Sequence, residues 1–208
     1  VGDFDATRRA LQGMDVVVHM AADPRGDAPW ESVLRSNIVG AYNAYEACRL
    51  NGVKRIVYAS TIMVSWGYQA DEPYKSITDG RYADLPSKLP IVTKESPVRP
   101  TDLYPCSKVW GEALGRYYSD LHGLSVVCLR IGGVNDPDAP GDSPIGHAVW
   151  CSHRDIVQLV ERAIDAPPSI RYDIFYGVSN NKHRFVDIEH ARQSLGFVPQ
   201  DGADEYRG

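Results

Sequence analysis

Asp15-Val16-Val17-Val18-His19-Met20 and Arg55-Ile56-Val57-Tyr58-Ala59 are two short runs dominated by apolar and β-branched residues. Runs of this length read as strands buried on both faces of a sheet. Between them the period changes. Trp30, Val33, Leu34, Asn37, Ile38, Ala41, Tyr42, Tyr45 and Cys48 recur at spacings of three and four, which is the stripe of an amphipathic helix. Asn51-Gly52 then supplies a C-terminal stop. Strand, helix and strand in this order make a βαβ unit, so the two strands lie parallel.

The same alternation continues outward. Tyr104–His122 reads as a helix with Trp110, Ala113, Leu114, Tyr117 and Leu121 on one side, and Ser125–Ile131 as a strand. Ser152-His153-Arg154-Asp155 has the form of a helix-capping box, and Ile156, Val157, Val160, Ala163 and Ile164 carry that helix on. Tyr172–Tyr176 is a last strand and Asp187–Leu195 a short helix. The order β-α-β-α-β-α-β-α predicts an α/β fold: one parallel sheet covered on both faces. The opening Val1-Gly2-Asp3-Phe4-Asp5 reads as a strand end running into a turn, and residues 61–103 read mostly as loop. Ligands of such sheets sit beyond the carboxyl ends of the strands. The site is therefore expected in the loops 20–29, 60–103 and 131–150.

At 208 residues with 24% charged residues and a net charge of −5, the chain suits a single globular domain and gives no basic surface for nucleic acid or an anionic membrane. Cys48, Cys106, Cys128 and Cys151 are far apart in sequence and form no CxxC pair. Free thiols and a cytoplasmic location are expected. No His or Cys set has metal-ligand spacing, so no metal is expected.

Tyr104-Pro105-Cys106-Ser107-Lys108 places a tyrosine and a lysine four residues apart at the start of a helix. Such residues share one helical face. A phenol of pKa about 10 is a poor base at neutral pH, and lowering it by about three units takes roughly 4 kcal/mol; a nearby ammonium favours the phenolate. Ser60 and Thr61 follow the strand 55–59 and can offer a hydroxyl beside that tyrosine. Asn37 and Gly40 interrupt a helix in which neither is favoured. Gly40 suggests close packing, and Asn37 can bridge backbone groups near the site.

Taken in order, Gly2-Asp3, Val18-His19-Met20-Ala21-Ala22, Asn37-Ile38-Val39-Gly40, Tyr58-Ala59-Ser60-Thr61, Tyr104-x-x-x-Lys108 and Leu129-Arg130-Ile131-Gly132 resemble the NAD-dependent epimerase/dehydratase family, the extended short-chain dehydrogenases. Tyr176–Asn181 and Leu195–Asp201 resemble its uronate dehydrogenase branch. The resemblance implies a Rossmann-like, doubly wound domain spanning 1–208, with 61–103, 132–150 and 177–208 forming a small substrate-side lobe. It implies NAD as cofactor, with NADP left open, and a small sugar or sugar acid as substrate. Tyr104 would be the general acid/base, and Lys108 would lower its pKa and hold the nicotinamide ribose. Thr61, or else Ser60, would orient the substrate oxygen, and Asn37 would support the site. Asp3 and Phe4 would meet the adenine, Ala21 and Ala22 would line the cofactor channel, and Ile131 would pack near the nicotinamide. A homodimer through the helices at 30–51 and 104–122 is implied as well. A nucleotide-sugar epimerase and a non-catalytic sensing or interaction module are the alternatives.

The sequence departs from that pattern in four places. It holds no G-x-x-G-x-x-G; the family's first βαβα portion, roughly 60 residues ahead of Gly2, is expected to be missing, so the domain reads as truncated. Where the uronate branch carries Asn-His after the threonine, Ile62-Met63 stand here. That apolar pair also lacks the Asp-Glu used by the family's dehydratases. Residues 67–91 form a longer insertion, from which Tyr68, Tyr74, Lys75 or Arg81 are candidates to reach substrate.

Overall fold

A computed structural model describes residues 1–206. Arg207 and Gly208, the end of the expected 177–208 lobe, lie outside the described residues. Four strands, β1 (Val16–His19), β2 (Arg55–Thr61), β3 (Ser125–Ile131) and β4 (Tyr172–Gly177), form one sheet in the order β1-β2-β3-β4. Every pairing is parallel, as the alternation predicts. All seven residues of β2 are buried, which is why its sequence is apolar without alternating.

The pleat assigns each strand residue to a face. Ile56, Tyr58, Val126 and Cys128 share one core cluster with Tyr45 and Tyr118, which come from helices α3 (Gly40–Asn51) and α5 (Leu103–His122). Val57, Val127 and Leu129 share the other with Leu159, Phe175 and Phe197. After the short α6 (Pro144–Val149), helices α7 (His153–Ile164) and α8 (Glu189–Leu195) cover that second face. Close contact of α5 with β2 needs Gly111, because a Cβ there would come within 2.0 Å of the Tyr58 hydroxyl.

Three local departures from the sequence reading have plain causes. The N-terminus is a helix, α1 (Phe4–Ala10), and not a strand end, because Asp3 caps it by accepting a hydrogen bond from Ala6 N at 2.8 Å. The helix from Trp30 begins as α2 (Trp30–Val33), widens into a π-turn at Leu34–Val39, and only then becomes α3. Residues 61–103 are loop and turn over more than half their length, as expected, but they also hold short helices. A 3-10 helix (Ile62–Ala70) and α4 (Tyr74–Thr78) bury Ile62 and Ile77 against Val178, Phe185 and Val186 in a third cluster. Ser60 and Thr61 are the last two residues of β2 itself.

The chain beyond β4 is tied back firmly. Ser152 caps α7 through Asp155 N, as the capping box predicts. The Asp155 carboxylate, fully buried, accepts hydrogen bonds from Ser179 Oγ (2.6 Å), Gln200 N (2.7 Å) and Asp201 N (3.2 Å). No helix among the described residues is long and apolar enough to cross a membrane. Nor does any group of three His, Cys, Asp or Glu among them stand close enough to hold a metal ion.

Candidate active site

Helix α5 starts beside the carboxyl end of β2. Asp102 caps it by accepting from Tyr104 N at 3.0 Å, which fixes the first turn that carries Tyr104. The Tyr104 phenol stands beside the Thr61 hydroxyl, which pulls its pKa down. Thr61 Oγ1 accepts from Met63 N at 3.2 Å, leaving its own proton free to point at the phenol. One helical turn on, Lys108 is 2% exposed, and its ammonium donates to Ala59 O at 2.7 Å. It lies 5.7 Å from the centre of the Tyr104 ring and 5.2 Å from that of Tyr58. Ile131 pairs directly with Thr61 across the sheet and is half-buried. Tyr104, Lys108, Thr61 and Ile131 are thus brought together as the sequence implies.

Asn37 closes the site from below. Its side-chain carbonyl accepts from Asp23 N (2.7 Å), and its amide donates to Asp23 O (3.0 Å) and Ser107 Oγ (2.9 Å). Ser107 Oγ in turn donates to Tyr104 O at 2.6 Å. One buried amide therefore links the loop after β1 to the first turn of α5. The π-turn is the local feature that accommodates it, since Asn37 lies within that widened turn.

Several expectations need correction. The Tyr104 phenol is not lowered in the protein alone. Burial pushes Tyr104 above its usual value, the Thr61 hydroxyl pulls it partly back, and Asp102 adds to the rise. Burial likewise pushes Lys108 down to about 8. Ser60 is not free for a substrate: its hydroxyl donates to Glu112 Oε1 at 2.6 Å. The adenine role of Asp3 and Phe4 is not contradicted: Asp3 caps α1 through one carboxylate oxygen, and Phe4 is the first residue of that helix, half-buried. Lys75 and Arg81 are held in surface ion pairs with Asp79, Glu72 and Asp84. Tyr68 donates to Pro97 O, and Tyr74 packs on Phe185. These four side chains are engaged by other parts of the chain.

Sequence reasoning missed a buried polar network directly behind the site. Glu112 accepts two hydrogen bonds from Arg130, both at 2.9 Å, and Arg130 donates to the Tyr176 hydroxyl at 2.8 Å. The signal was present: Glu112 lies four and eight residues beyond Lys108 and Tyr104, on the same helical face. His19, buried against the Tyr58 ring, was noticed, but not that burial and the Lys108 charge push it down to about 4, so it is neutral at ordinary pH.

How well do these residues suit a nicotinamide dinucleotide? Lys108 spends one of three donors on Ala59, so a buried ammonium retains protons for a ribose hydroxyl. Alongside β1 a cleft of about 440 Å³ is lined by Ala6, Leu11, Val18, His19, Met20 and Ala21; Ala22 follows, half-buried. The nicotinamide-ribose end therefore fits. The pyrophosphate end has no glycine-rich helix start among the described residues.

Comparison with known proteins agrees. The signature described as the NAD dependent epimerase/dehydratase family matches residues 1–137. This chain belongs to that family. Among its relatives in the epimerase/dehydratase family, the NAD-dependent glucose-6-phosphate dehydrogenase of Haloferax volcanii is 37% identical over 99% of this chain and 76% of its own length. The L-arabinose 1-dehydrogenase (NAD(P)(+)) of the same organism is 35% identical over 98% of this chain and 81% of its own. Uronate dehydrogenase from Pseudomonas syringae pv. tomato is 30% identical over the whole chain and 66% of its own. Of solved structures, the glucuronic acid dehydrogenase from Chromohalobacter salexigens superposes with a TM-score of 0.81 at 29% identity, over 99% of this chain and 68% of that one. A mutant uronate dehydrogenase from Agrobacterium tumefaciens complexed with NAD gives 0.80, also at 29%, over 99% and 69%. The epimerase/dehydratase fold, a Rossmann-like parallel sheet, is thereby shown for this chain.

Proposed function

We propose that the chain is an NAD(P)-dependent oxidoreductase that moves hydride between the nicotinamide and a small sugar or sugar acid, with Tyr104 as general acid/base. The observation that carries this reading is the buried Lys108 ammonium, 5.7 Å from the centre of the Tyr104 ring and held by Ala59 O two residues before Thr61. The names of the relatives support both the cofactor and the substrate class. When bound, the nicotinamide supplies the hydride acceptor or donor. The protein handles the proton. In the oxidative direction Tyr104 Oη takes it from the substrate hydroxyl, and Thr61 Oγ1 holds that oxygen in line. Lys108, charged below about pH 8, stabilises the phenolate and grips the ribose. Asn37 keeps the loop after β1 against the first turn of α5. Ile131, beside Thr61, packs the apolar side of the nicotinamide.

Ile62 is buried in the lobe core and Met63 half-buried. With this apolar pair after Thr61, the site favours a sugar over a carboxylate-bearing substrate at that position. The outer faces of α2–α3 and α5 leave Trp30, Tyr42, Trp110 and Tyr117 between 43% and 51% exposed; a homodimer through these helices would cover them.

The test is a thermal-shift titration with NAD+ and with NADP+, followed by reduction of the stabilising cofactor in the presence of glucose, glucose 6-phosphate, L-arabinose and glucuronate. Stabilisation by one cofactor, and its reduction with one sugar, is expected. A chain that responds to neither cofactor defeats the assignment. Cofactor that stays bound through purification, with interconversion of a nucleotide sugar and no net reduction, replaces it with an epimerase.

A further inference from the structure

Three successive turns of α5 each hold one of three consecutive residues at the end of β2. Tyr104 meets the Thr61 hydroxyl, Lys108 donates to Ala59 O, and Glu112 accepts from Ser60 Oγ. The Glu112 carboxylate is also engaged by Arg130 through Nε and Nη2. From Arg130 the network goes on to the Tyr176 hydroxyl, and that hydroxyl shares a 2.7 Å hydrogen bond with Ser65 Oγ. Ser65 lies four residues beyond Thr61, in the 3-10 helix that Thr61 caps. Ser60, Ser65, Glu112, Arg130 and Tyr176 are each at most 4% exposed. The network therefore grips the backbone immediately before Thr61 and again one helical stretch after it.

We propose that Glu112 and Arg130 are positioning residues: through Ser60 on one side and Tyr176–Ser65 on the other, they hold the Thr61 hydroxyl in register with Tyr104 Oη. The inference rests on the reading of Tyr104 and Thr61 as the reacting pair. A buried Arg–Glu pair is costly to desolvate and contributes little net stability compared with an apolar pair of the same shape. What it supplies here is direction. Bidentate guanidinium–carboxylate geometry fixes both partners in angle as well as distance, and Glu112 is anchored to the same helix as Tyr104. A displacement of the Thr61 hydroxyl by a fraction of an ångström leaves substrate bound but misaligned for proton transfer.

Ser60→Ala and Tyr176→Phe each remove one hydroxyl from one arm and leave the Arg130–Glu112 pair in place, so both variants should fold. Each is expected to lower kcat by on the order of tenfold with KM for the sugar little changed. The pH at which turnover reaches half its maximum should move up, as the phenol loses a well-placed donor. In a Thr61→Ala background the same two substitutions should have no further effect, since the only residue they act through is gone. Full effects of Ser60→Ala or Tyr176→Phe in that background, or an unchanged kcat and pH profile in the single variants, overturn the inference while the oxidoreductase reading stands. A wild-type protein that oxidises no sugar overturns both.

Discussion

Replacing Lys108 by Met should make the protein inactive and, at neutral pH, more stable. The two side chains are similar in length, so the hole is filled. The ammonium sits 2% exposed, and burial pushes its pKa from 10.5 to about 8. That drop corresponds to about 3 kcal/mol by which folding is penalised while the group is charged in both states. Against it stands the lost hydrogen bond to Ala59 O, of about 1–2 kcal/mol. Lys108→Met should therefore gain about 1–2 kcal/mol at pH 7, a rise of a few degrees in Tm for a chain of this size. The sign then changes with pH. Between about 8 and 10.5 the unfolded chain keeps the proton that folded Lys108 has given up, so wild-type stability climbs with pH. It should recover about 3 kcal/mol relative to the variant over that window and overtake it. Urea unfolding of both proteins at pH 7 and pH 10 measures this difference directly. A gap that stays constant between the two pH values refutes the reasoning, because the ammonium would then not be paying a burial penalty.

Three further outcomes follow from the same geometry. Tyr104→Phe should cut turnover by about 10²–10⁴ while leaving Tm nearly unchanged, read from initial rates at saturating cofactor beside a melting curve. As pH falls from 6.5 towards 4, the unfolded chain takes up a proton that folded His19 refuses; stability should drop by up to about 3 kcal/mol, and His19→Phe should flatten that part of the acid-denaturation profile. Glu112→Ala strands the Arg130 guanidinium without its carboxylate and should cost about 3–5 kcal/mol in urea unfolding, most of it restored when Arg130→Met is added.

The sheet was legible because its strands announce themselves. β2 and β3 are apolar runs bounded by turn residues, and a parallel sheet needs both faces apolar. Tyr104, Lys108 and Thr61 could be read together because a fixed helical spacing and a strand end locate them before any coordinates. Other features are set by long-range pairing, which spacing does not encode. Ser60 and Thr61 look interchangeable as neighbours, yet two different turns of α5 take them: Glu112 holds Ser60, and Tyr104 stands beside Thr61. Lys75 and Arg81 look like free cations until Asp79, Glu72 and Asp84 fold around them. Asp3 shows how local chemistry can compete with a motif: an aspartate before Phe4-Asp5-Ala6 is a good helix cap whatever else it could reach. Residues 61–103 read correctly as mostly loop, but their Pro, Asp and Ser content masks the short helices that a few apolar anchors, Ile62 and Ile77 among them, hold in place.

The three hydrogen bonds that converge on Asp155 bear on how the chain is made. Two of the donors, Gln200 N and Asp201 N, belong to residues synthesised some forty-five positions after the carboxylate they neutralise. Until they have left the ribosome, α7 carries at its first turn an acid that the finished protein allows no water to reach. A nascent chain can form the strands β1 to β3 early, but it cannot seat α7 against the sheet without leaving that buried acid short of two of its three donors. A chain stopped ahead of Gln200 would thus leave the buried Asp155 without two of its three donors. The same reasoning says where a fusion partner must not be inserted: anywhere between Ser179 and Asp201.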